Sequence, residues 1–205
     1  MIPAQKNKLI TAWFTWLTRG KFKKTFHRMS LTTRSEIPRL EFKVPTIVVA
    51  NHPSWWDALL VGELSDSLLK REYFGVFDDE QLRRYGIFRL LGGFAAEKKN
   101  GELPASEMRP FLRYARELLE GRDRLLWVFV QGDIVAADEP IRVKRGFATI
   151  ASQLERAQLV KIHVSYDFWL ESKPEVVIDI LPLETLTGIS GSRGIEDLRA
   201  RVERE

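Results

Sequence analysis

The chain has 205 residues, of which 44% are hydrophobic and 29% charged, and this balance favours one globular domain over a disordered chain. Cysteine is absent, which excludes disulfides, thiolate metal ligands and a cysteine nucleophile, and which is compatible with an intracellular location. The formal net charge of +4 conceals an asymmetry between the first 28 residues and the rest.

Residues 1–28 form a basic and aromatic segment. They carry seven lysines and arginines and no acid, so the rest of the chain has a charge of −3 within the total of +4. Large apolar side chains recur among these cations at helical spacing, namely Leu9, Ile10, Trp13, Phe14, Trp16 and Leu17. A basic amphipathic helix of this kind can lie in the headgroup layer of an anionic membrane, where each cation contributes about 1 kcal/mol.

Two other interpretations of the segment remain open. It can dock its aromatic face on its own domain, whereas nucleic-acid binding is the least favoured alternative and is not expected. No run of about 18 apolar residues occurs, so a membrane span is not expected, and the segment lacks the apolar core and cleavage site of a signal peptide. We predict a membrane-associating segment over residues 1–35 and an α/β domain over residues 36–205.

Strands and helices are predicted to alternate along the rest of the chain. In chain order they are a strand over 44–50, a helix over 54–64, a strand over 71–77, a helix over 80–91, a strand over 94–98, a helix over 106–120, a strand over 125–130, a helix over 147–156, strands over 159–168 and 176–181, and a helix over 195–204. Gly92 and Gly93 are expected to end the second helix, and Ser106 is expected to be the N-cap of the third. The alternation predicts a single α/β domain with a mainly parallel central sheet flanked by helices.

A histidine and an aspartate five positions apart follow the first predicted strand. In a parallel sheet, sites lie beyond the carboxyl ends of the strands, which is where His52 and Asp57 are expected. If the chain turns into a helix here, the Asp57 carboxylate can accept a hydrogen bond from one ring nitrogen of His52. The other ring nitrogen can then take a proton from an attacking hydroxyl. A helix cap with a satisfied polar pair is the alternative.

Three motifs resemble those of the glycerolipid acyltransferases, the lysophosphatidate acyltransferase family, within a resemblance that spans about residues 44–181. The first is Asn-His-Pro-Ser-Trp-Trp-Asp over residues 51–57, and the second is the glycine-rich stretch 92–98, in which Lys98 replaces an arginine. The third covers residues 129–134, where the family has Phe-Pro-Glu-Gly-Thr-Arg. Here Gln131 replaces the glutamate and Ile134 replaces the arginine. The fourth motif is matched only loosely by residues 160–164, which lack its proline.

The resemblance implies a glycerol-3-phosphate acyltransferase-like fold and a role in phospholipid biosynthesis. The implied reaction moves a fatty acyl group from acyl-CoA or acyl carrier protein to a hydroxyl of a lipid-like acceptor, with His52 as general base and Asp57 as its orienter. No metal or other cofactor is expected. Because Gln131 and Ile134 depart from the family pattern, a phosphorylated acceptor is in question. A catalytically silent acyl- or lipid-binding protein and a thioester hydrolase remain alternatives.

Substrate contacts are expected from a wider set of residues around these motifs, namely Asn51, Ser54, Lys98, Gln131, Gly132, Lys144 and Arg145. Lys144 and Arg145 can hold a phosphate of coenzyme A or can simply lie at the exposed end of a loop. Ser54 is expected to cap the helix or contact the acceptor, because no Gly-x-Ser-x-Gly elbow surrounds it. The acidic residues Asp133, Asp138 and Glu139 are expected to form a solvated loop. The expected location is cytoplasmic, as a peripheral protein on the inner face of the membrane.

Overall fold

The computed structural model describes residues 1–136 and 139–204, and its centre is one sheet. The strands within the described residues are β1 (Met29–Leu31), β2 (Thr46–Ala50), β3 (Glu72–Val76), β4 (Gly93–Phe94), β5 (Arg124–Phe129), β6 (Arg156–Asp167), β7 (Glu175–Ile180) and β8 (Glu184–Thr187). Their order in the sheet is β1-β7-β6-β2-β5-β3-β4, and β8 pairs with β6 beside β7.

Parallel pairing dominates the sheet. Strand β2 is parallel to both β5 and β6, β3 is parallel to β4 and β5, and β1 is parallel to β7. Only β6 pairs in the antiparallel sense, with β7 and β8, among the described strands. The predicted α/β fold with a mainly parallel sheet is therefore confirmed.

Helices cover both faces of the sheet. They are α1 (Lys8–Thr25), α2 (Asp57–Leu64), α3 (Asp79–Arg84), α4 (Ile87–Leu90), α5 (Ala105–Leu119), α6 (Gly146–Ala151) and α7 (Gly191–Arg204), with a π-helical turn over Ser65–Leu69. The side chains of β2 alternate between two cores, as expected of a strand that is buried on both faces. Ile47 and Val49 pack with α5, α6 and α7, whereas Val48 and Ala50 pack with α1 and α2.

The region around residues 80–106 differs most from the prediction. The helix expected over residues 80–91 is two helices, α3 and α4, because the chain leaves the helical conformation at Tyr85. The strand expected over residues 94–98 is the short β4, which already includes Gly93. A Cβ atom on Gly93 would lie 2.8 Å from the carbonyl oxygen of Phe88, so only glycine allows this close approach.

The prediction that Ser106 is the N-cap of α5 is wrong. The helix begins at Ala105, and the cap position is Pro104, which has an extended backbone conformation. Because the fixed φ of proline suits the entry to a helix, the helix begins one residue before the predicted cap. Ser106 lies inside the first turn.

Strands β1 and β8 were not predicted because neither shows a buried apolar run. β1 is three residues long and exposes Met29 and Leu31, and β8 is bounded by polar residues. The pairing of β1 with β7 makes part of residues 1–35 a strand of the central sheet. The boundary between a membrane-associating segment and a domain remains a prediction.

Helix α1 buries two threonines beside Phe22 and exposes three other large apolar side chains. Thr15 and Thr18 are buried against the domain together with Phe22. Leu9, Trp13 and Trp16 are 82%, 53% and 70% exposed and lie on one outward face, because they are four and three residues apart. One face of α1 therefore docks on the domain, and the opposite face is the one available to a membrane. In the described residues, no helix is both long and apolar enough to cross a membrane.

Candidate active site

The site lies where three neighbouring strands end. Ala50, the last residue of β2, is in register with Phe129 of β5 and with Ile162 of β6. Because all three strands run in the same direction, the segments that follow them meet at one edge of the sheet. The turn of residues 51–56, the loop that begins at residue 130 and the second half of β6 form this edge.

His52 and Asp57 contact each other across the turn between β2 and α2. The Nδ1 atom of His52 lies 2.8 Å from Oδ2 of Asp57, which is the first residue of α2. With Nδ1–H donating to the carboxylate, Nε2 is the ring nitrogen that can accept a proton. The pairing inferred from the five-residue spacing is therefore present.

The Asp57 carboxylate is buried and accepts two further hydrogen bonds. Asp57 is only 1% exposed. Its Oδ2 also accepts a hydrogen bond from the backbone N–H of Ser54 at 2.8 Å. Oδ1 accepts the hydroxyl of Tyr166 in β6 at 2.5 Å. Burial, followed by the negative charge of Asp57, raises the pKa of Tyr166 well above its usual value, so the hydroxyl remains a neutral donor. Three donors thus fix the orientation of the carboxylate that holds His52.

The backbone of His52 is held from the loop that follows β5. The side-chain Oε1 of Gln131 accepts the backbone N–H of His52 at 2.8 Å, and the backbone N–H of Val135 donates to the carbonyl of His52 at 3.0 Å. Gln131 itself is buried. A glutamate carboxylate could accept the same bond, so the glutamine found here retains this positioning contact without introducing a charge.

Asn51 joins the ends of β2 and β6. Its Nδ2 donates to the carbonyl oxygen of Val164 at 2.8 Å, and its Oδ1 accepts the backbone N–H of Val164 at 2.7 Å. Both polar functions of the side chain are thus engaged with the backbone of one residue, as in a strand pair. Asn51 positions the turn that carries His52, and a contact between Asn51 and a substrate remains a prediction.

Phe129 links the histidine to a narrow apolar cleft. Its ring stacks on His52 with a centroid distance of 4.1 Å and an angle of 11° between the ring planes. The same ring lines a cleft between α1, α2 and β3, whose other walls include Phe14, Ala58, Leu59, Val61, Gly62, Tyr73, Val76, Phe77, Phe88 and Leu91. His52 does not line the cleft directly, so Phe129 stands between the imidazole and this apolar space.

The two tryptophans of the first motif have different environments. Trp56 packs against Phe22 and Phe26 at the end of α1, with centroid distances of 5.4 and 5.1 Å. Trp55 stacks on Trp56 at 4.6 Å and is exposed. Phe26 also contacts Tyr166, at 5.6 Å between ring centroids. The end of α1 therefore packs directly against the residues that hold Asp57.

The three basic residues expected to contact a substrate are each paired with an acid. Lys98 lies 2.5 Å from Asp78, Lys144 lies 2.6 Å from Asp133, and Arg145 lies 2.9 Å from Glu196 of α7. The hydrogen bond to Asp78 raises the pKa of Lys98, and the negative charge of Asp133 adds to this effect, so these two loops are neighbours. Arg145, by contrast, is directed toward α7.

Gly132 is required by the path of the loop after β5. Its φ of +75° lies in the left-handed region, and a Cβ atom there would lie 2.9 Å from Nζ of Lys144. Lys144 therefore passes directly over Gly132. Of the acidic residues expected in a solvated loop, Asp133 and Glu139 are exposed, and Asp138 lies outside the described residues.

The sequence did not indicate two of the residues that complete the site. Tyr166 is 109 positions from Asp57, and Phe129 reaches His52 only because β5 and β2 are neighbours in register. The available signal was that the predicted strands ended near these aromatic residues. Ser54, in turn, contributes its backbone N–H to Asp57, and its hydroxyl accepts the backbone N–H of Trp56 at 3.3 Å. Ser54 therefore stabilises the turn but does not cap α2, because the helix begins at Asp57 and its cap position is Trp56; a contact of Ser54 with the acceptor remains a prediction.

This arrangement can accept a proton from a hydroxyl and return it to a leaving group. Nε2 of His52 would be the acceptor, and Asp57 would stabilise the imidazolium that forms. Stabilisation of a developing oxyanion by backbone amides at the start of α2 remains a prediction. The amides of Ser54 and Trp56 are already engaged within the turn.

Comparison with known families agrees with this geometry. The sequence model described as "Acyltransferase" matches residues 28–165, a range that contains β2, β5, the His52–Asp57 turn and the beginning of β6 through Ser165. Tyr166 lies one residue beyond the match. A search of curated proteins gives no significant match. Because the matched range is more than half of the 205 residues, the chain belongs to the acyltransferase family.

Proposed function

We propose that the protein transfers a fatty acyl group from an acyl thioester to a hydroxyl of a lipid-like acceptor, with His52 as general base and Asp57 as its orienter. One observation carries the proposal: Nδ1 of His52 is bonded to a buried, triply hydrogen-bonded Asp57 in a chain of the acyltransferase family. The buried carboxylate fixes the ring so that Nε2 receives the proton.

The transfer proceeds by direct attack. The acceptor oxygen forms a bond to the thioester carbonyl carbon while its proton passes to Nε2 of His52. The carbon–sulfur bond then breaks, and the imidazolium returns the proton to the departing thiolate, which gives an ester and a free thiol. A covalent enzyme intermediate is not required, so Ser54 needs no role as a nucleophile.

The apolar cleft beside Phe129 suits the acyl chain of the donor. Its lining is almost entirely hydrocarbon and aromatic, and its end at Phe129 lies next to the His52 ring. An acyl chain that enters between α1 and α2 would place its thioester near the histidine. Acyl-CoA and acyl carrier protein are both candidate donors.

The cations near the site bear on the acceptor. Lys144 is paired with the exposed Asp133, and a phosphate of the donor or the acceptor could replace this carboxylate at Lys144. Gln131 supplies no charge, and its Oε1 is engaged with His52. We therefore propose an acceptor defined by its hydroxyl and its apolar part, with a phosphate accepted only if it displaces Asp133.

A catalytically silent acyl- or lipid-binding protein is the second candidate. The observation that favours it is the pairing of Lys98, Lys144 and Arg145 with carboxylates, which competes with an acceptor phosphate. Such a protein would keep the apolar cleft and bind the thioester without consuming it.

Thioester consumption separates the candidates. Purified protein is incubated with acyl-CoA carrying an isotope-labelled acyl chain and with a lipid extract, and the products are identified by mass spectrometry. Label in a lipid ester together with free thiol is the expected result. Labelled free fatty acid as the sole product would show a hydrolase, and tight binding without thiol release would show a silent binding protein. The same experiment is repeated with acyl carrier protein as the donor.

We also propose that the protein acts at a membrane surface, through α1. The outward Leu9, Trp13 and Trp16, together with the seven cations of residues 1–28, support this role. A peripheral position on the inner face of the cytoplasmic membrane would give the site access to lipid acceptors.

A further inference from the structure

Three consecutive large apolar side chains are exposed at the turn between β6 and β7. Phe168, Trp169 and Leu170 are 72%, 70% and 101% exposed. They connect two antiparallel strands, so they form the tip of a hairpin. Exposed single apolar residues are common on protein surfaces. Three in succession at a projecting tip indicate a surface that binds an apolar partner. We call residues 168–170 the hairpin tip.

The hairpin tip lies at the same end of the sheet as the site, where β2 and β5 end. β6 is parallel to β2 up to the pairing of Ala50 with Ile162, and it then continues to Asp167, beyond the end of β2. Tyr166, which bonds Asp57, precedes Phe168 by two residues, or about 7 Å along an extended chain. A surface that receives the tip would therefore lie close to the mouth of the His52 site.

The hairpin tip also adjoins the basic end of α1. The backbone N–H of His27 donates to the carbonyl of Pro174 at 2.9 Å, and Nδ1 of His27 lies 4.0 Å from Glu171. Glu175 is buried and paired with Arg28 at 2.7 Å, so it adds no free negative charge to this surface. The lysines that end α1 are exposed, namely Lys21, Lys23 and Lys24.

We propose that the hairpin tip inserts into a bilayer that contains anionic lipid, and that it forms a second anchor beside α1. The inference rests on the proposed action of the protein at a membrane surface. A bilayer is the partner that fits because an apolar projection, with the exposed lysines of the α1 end on the segment that contacts its hairpin, matches an apolar interior beneath an anionic surface. The exposed Glu171 beside the tip faces His27. The outward tryptophans of α1 supply a second apolar group of the same kind.

The two anchors together would fix the orientation of the protein on the membrane. A single amphipathic helix can rotate and tilt on the surface, whereas a second point of insertion next to Tyr166 holds the mouth of the site against the lipid. A lipid hydroxyl could then reach His52 without leaving the headgroup layer. A donor thioester would enter from the same layer or from its edge.

The test uses the full chain and vesicles of phosphatidylcholine mixed with phosphatidylglycerol. The tip variant Phe168→Ser/Trp169→Ser/Leu170→Ser should bind these vesicles at least about tenfold more weakly than the wild type in a sedimentation assay, because three large apolar groups no longer insert. A single variant, Phe168→Ser, should show a smaller loss in the same direction.

Phe42→Ser is the matched control. Phe42 is 71% exposed, as Phe168 is, but it precedes β2 and therefore lies at the opposite end of the sheet from the site. Its replacement should leave vesicle binding unchanged. Fluorescence provides a second measurement, since bromine-labelled lipids should quench Trp169 and the quenching should fall in Trp169→Phe.

Three results would overturn the inference. In the first, the tip variant binds vesicles as tightly as the wild type does. In the second, the tip variant and Phe42→Ser lose vesicle binding to the same extent. In the third, the wild type forms a dimer in the absence of lipid and the tip variant does not. The last result would assign the tip to a second copy of the chain. Because vesicle binding needs no turnover, these outcomes are independent of whether acyl transfer is observed.

Discussion

At the residue scale, the site depends on how firmly Asp57 is held. Its carboxylate accepts hydrogen bonds from the His52 ring, the Ser54 backbone and the Tyr166 hydroxyl, and it is almost completely buried. A hydrogen bond to a charged group stabilises a protein by about 1.5–3 kcal/mol, which is more than a bond between neutral groups contributes. Tyr166 is therefore a positioning residue that acts on His52 through Asp57.

Replacing Tyr166 by phenylalanine tests this role. With one donor fewer, the Asp57 carboxylate attracts the imidazole proton more strongly, so the acidic limb of the pH profile of kcat/KM should move to higher pH. We also expect kcat to fall about tenfold, since one bond to the charged carboxylate is lost. The measurement is the pH dependence of thiol release.

Tyr114→Phe is the control for this substitution. The Tyr114 hydroxyl accepts the backbone N–H of Ala4 at 3.1 Å and belongs to another part of the fold. Its loss should leave the pH profile unchanged. A Tyr166→Phe profile identical to that of the wild type would show that Tyr166 serves packing alone.

The sequence predicted the short-range part of the site but not the long-range part. His52 and Asp57 are five residues apart, so one turn at a strand end brings them together. Tyr166 and Gln131 reach the same turn from β6 and from the loop after β5, and their contacts depend on strand order and register. Periodicity in the sequence does not specify which strands are neighbours.

At the element scale, Asn51 joins two strands at the edge that carries the site. Beyond Ala50, β2 no longer bonds β6 through its backbone, and the Asn51 side chain supplies both bonds to Val164 instead. Asn51→Ala should lower the free energy of unfolding by about 1–3 kcal/mol, because a buried N–H and a buried C=O lose their partners. Denaturant titration measures the change.

Asn7→Ala provides the comparison for Asn51. Asn7 caps α1 at an exposed position, where water can replace the lost bonds, so its loss should cost about 1 kcal/mol or less. If Asn51→Ala costs no more than Asn7→Ala, the paired bonds to Val164 do not hold the strand end.

A lysine in the segment before α1 gives a pH-dependent prediction. Lys6 donates to the carbonyl oxygen of Tyr73, and its Nζ lies 3.7 Å from the centre of the Tyr73 ring. Burial lowers the pKa of Lys6 to about 8. Between pH 8 and the unfolded-state pKa of about 10.5, Lys6 holds its proton in the unfolded chain but loses it in the folded protein. The contribution of Lys6 to the free energy of unfolding therefore increases as the pH rises through this range.

Lys6→Met should remove this gain. The difference in the free energy of unfolding, wild type minus variant, should increase between about pH 8 and pH 10.5 and remain level below pH 8. Chemical denaturation at a series of pH values provides the measurement. A difference that is constant across this range would show that Lys6 titrates as it does in the unfolded chain.

Elements with a buried apolar pattern were predictable, and those fixed by local backbone geometry were not. β2 and β5 are buried on both faces and were found within two residues of their observed bounds. The split of one predicted helix into α3 and α4 depends on the non-helical conformation at Tyr85, which the apolar spacing does not indicate. β1 and β8 form because β7 and β6 offer them free edges.

At the scale of the whole molecule, large apolar side chains are exposed at three places that the membrane proposal uses. Trp13 and Trp16 of α1, Trp55 of the first motif and the hairpin tip are all exposed. The buried side of α1 carries Thr15, Thr18 and Phe22, so Trp13 and Trp16 do not pack the helix against the domain. A membrane-facing arrangement through these side chains remains a proposal, which vesicle binding tests.

Trp13→Ser/Trp16→Ser should weaken binding to anionic vesicles several-fold, since two indoles leave the interface. Wild-type binding should also decrease as salt is raised, and it should be weaker on vesicles of phosphatidylcholine alone, because the cations of residues 1–28 contribute through charge. Equal binding of wild type and variant to both vesicle types would reject docking through α1.

The central claim is that the His52 imidazole, held by Asp57, removes the proton from the acceptor hydroxyl. The most direct measurement is the acyl-transfer rate of His52→Ala, compared with that of His163→Ala, which removes an exposed histidine of β6. We predict that His52→Ala remains folded by circular dichroism and loses about 10²–10⁴-fold in kcat, while His163→Ala transfers acyl groups at the wild-type rate. A folded His52→Ala protein with full transfer activity would contradict the account.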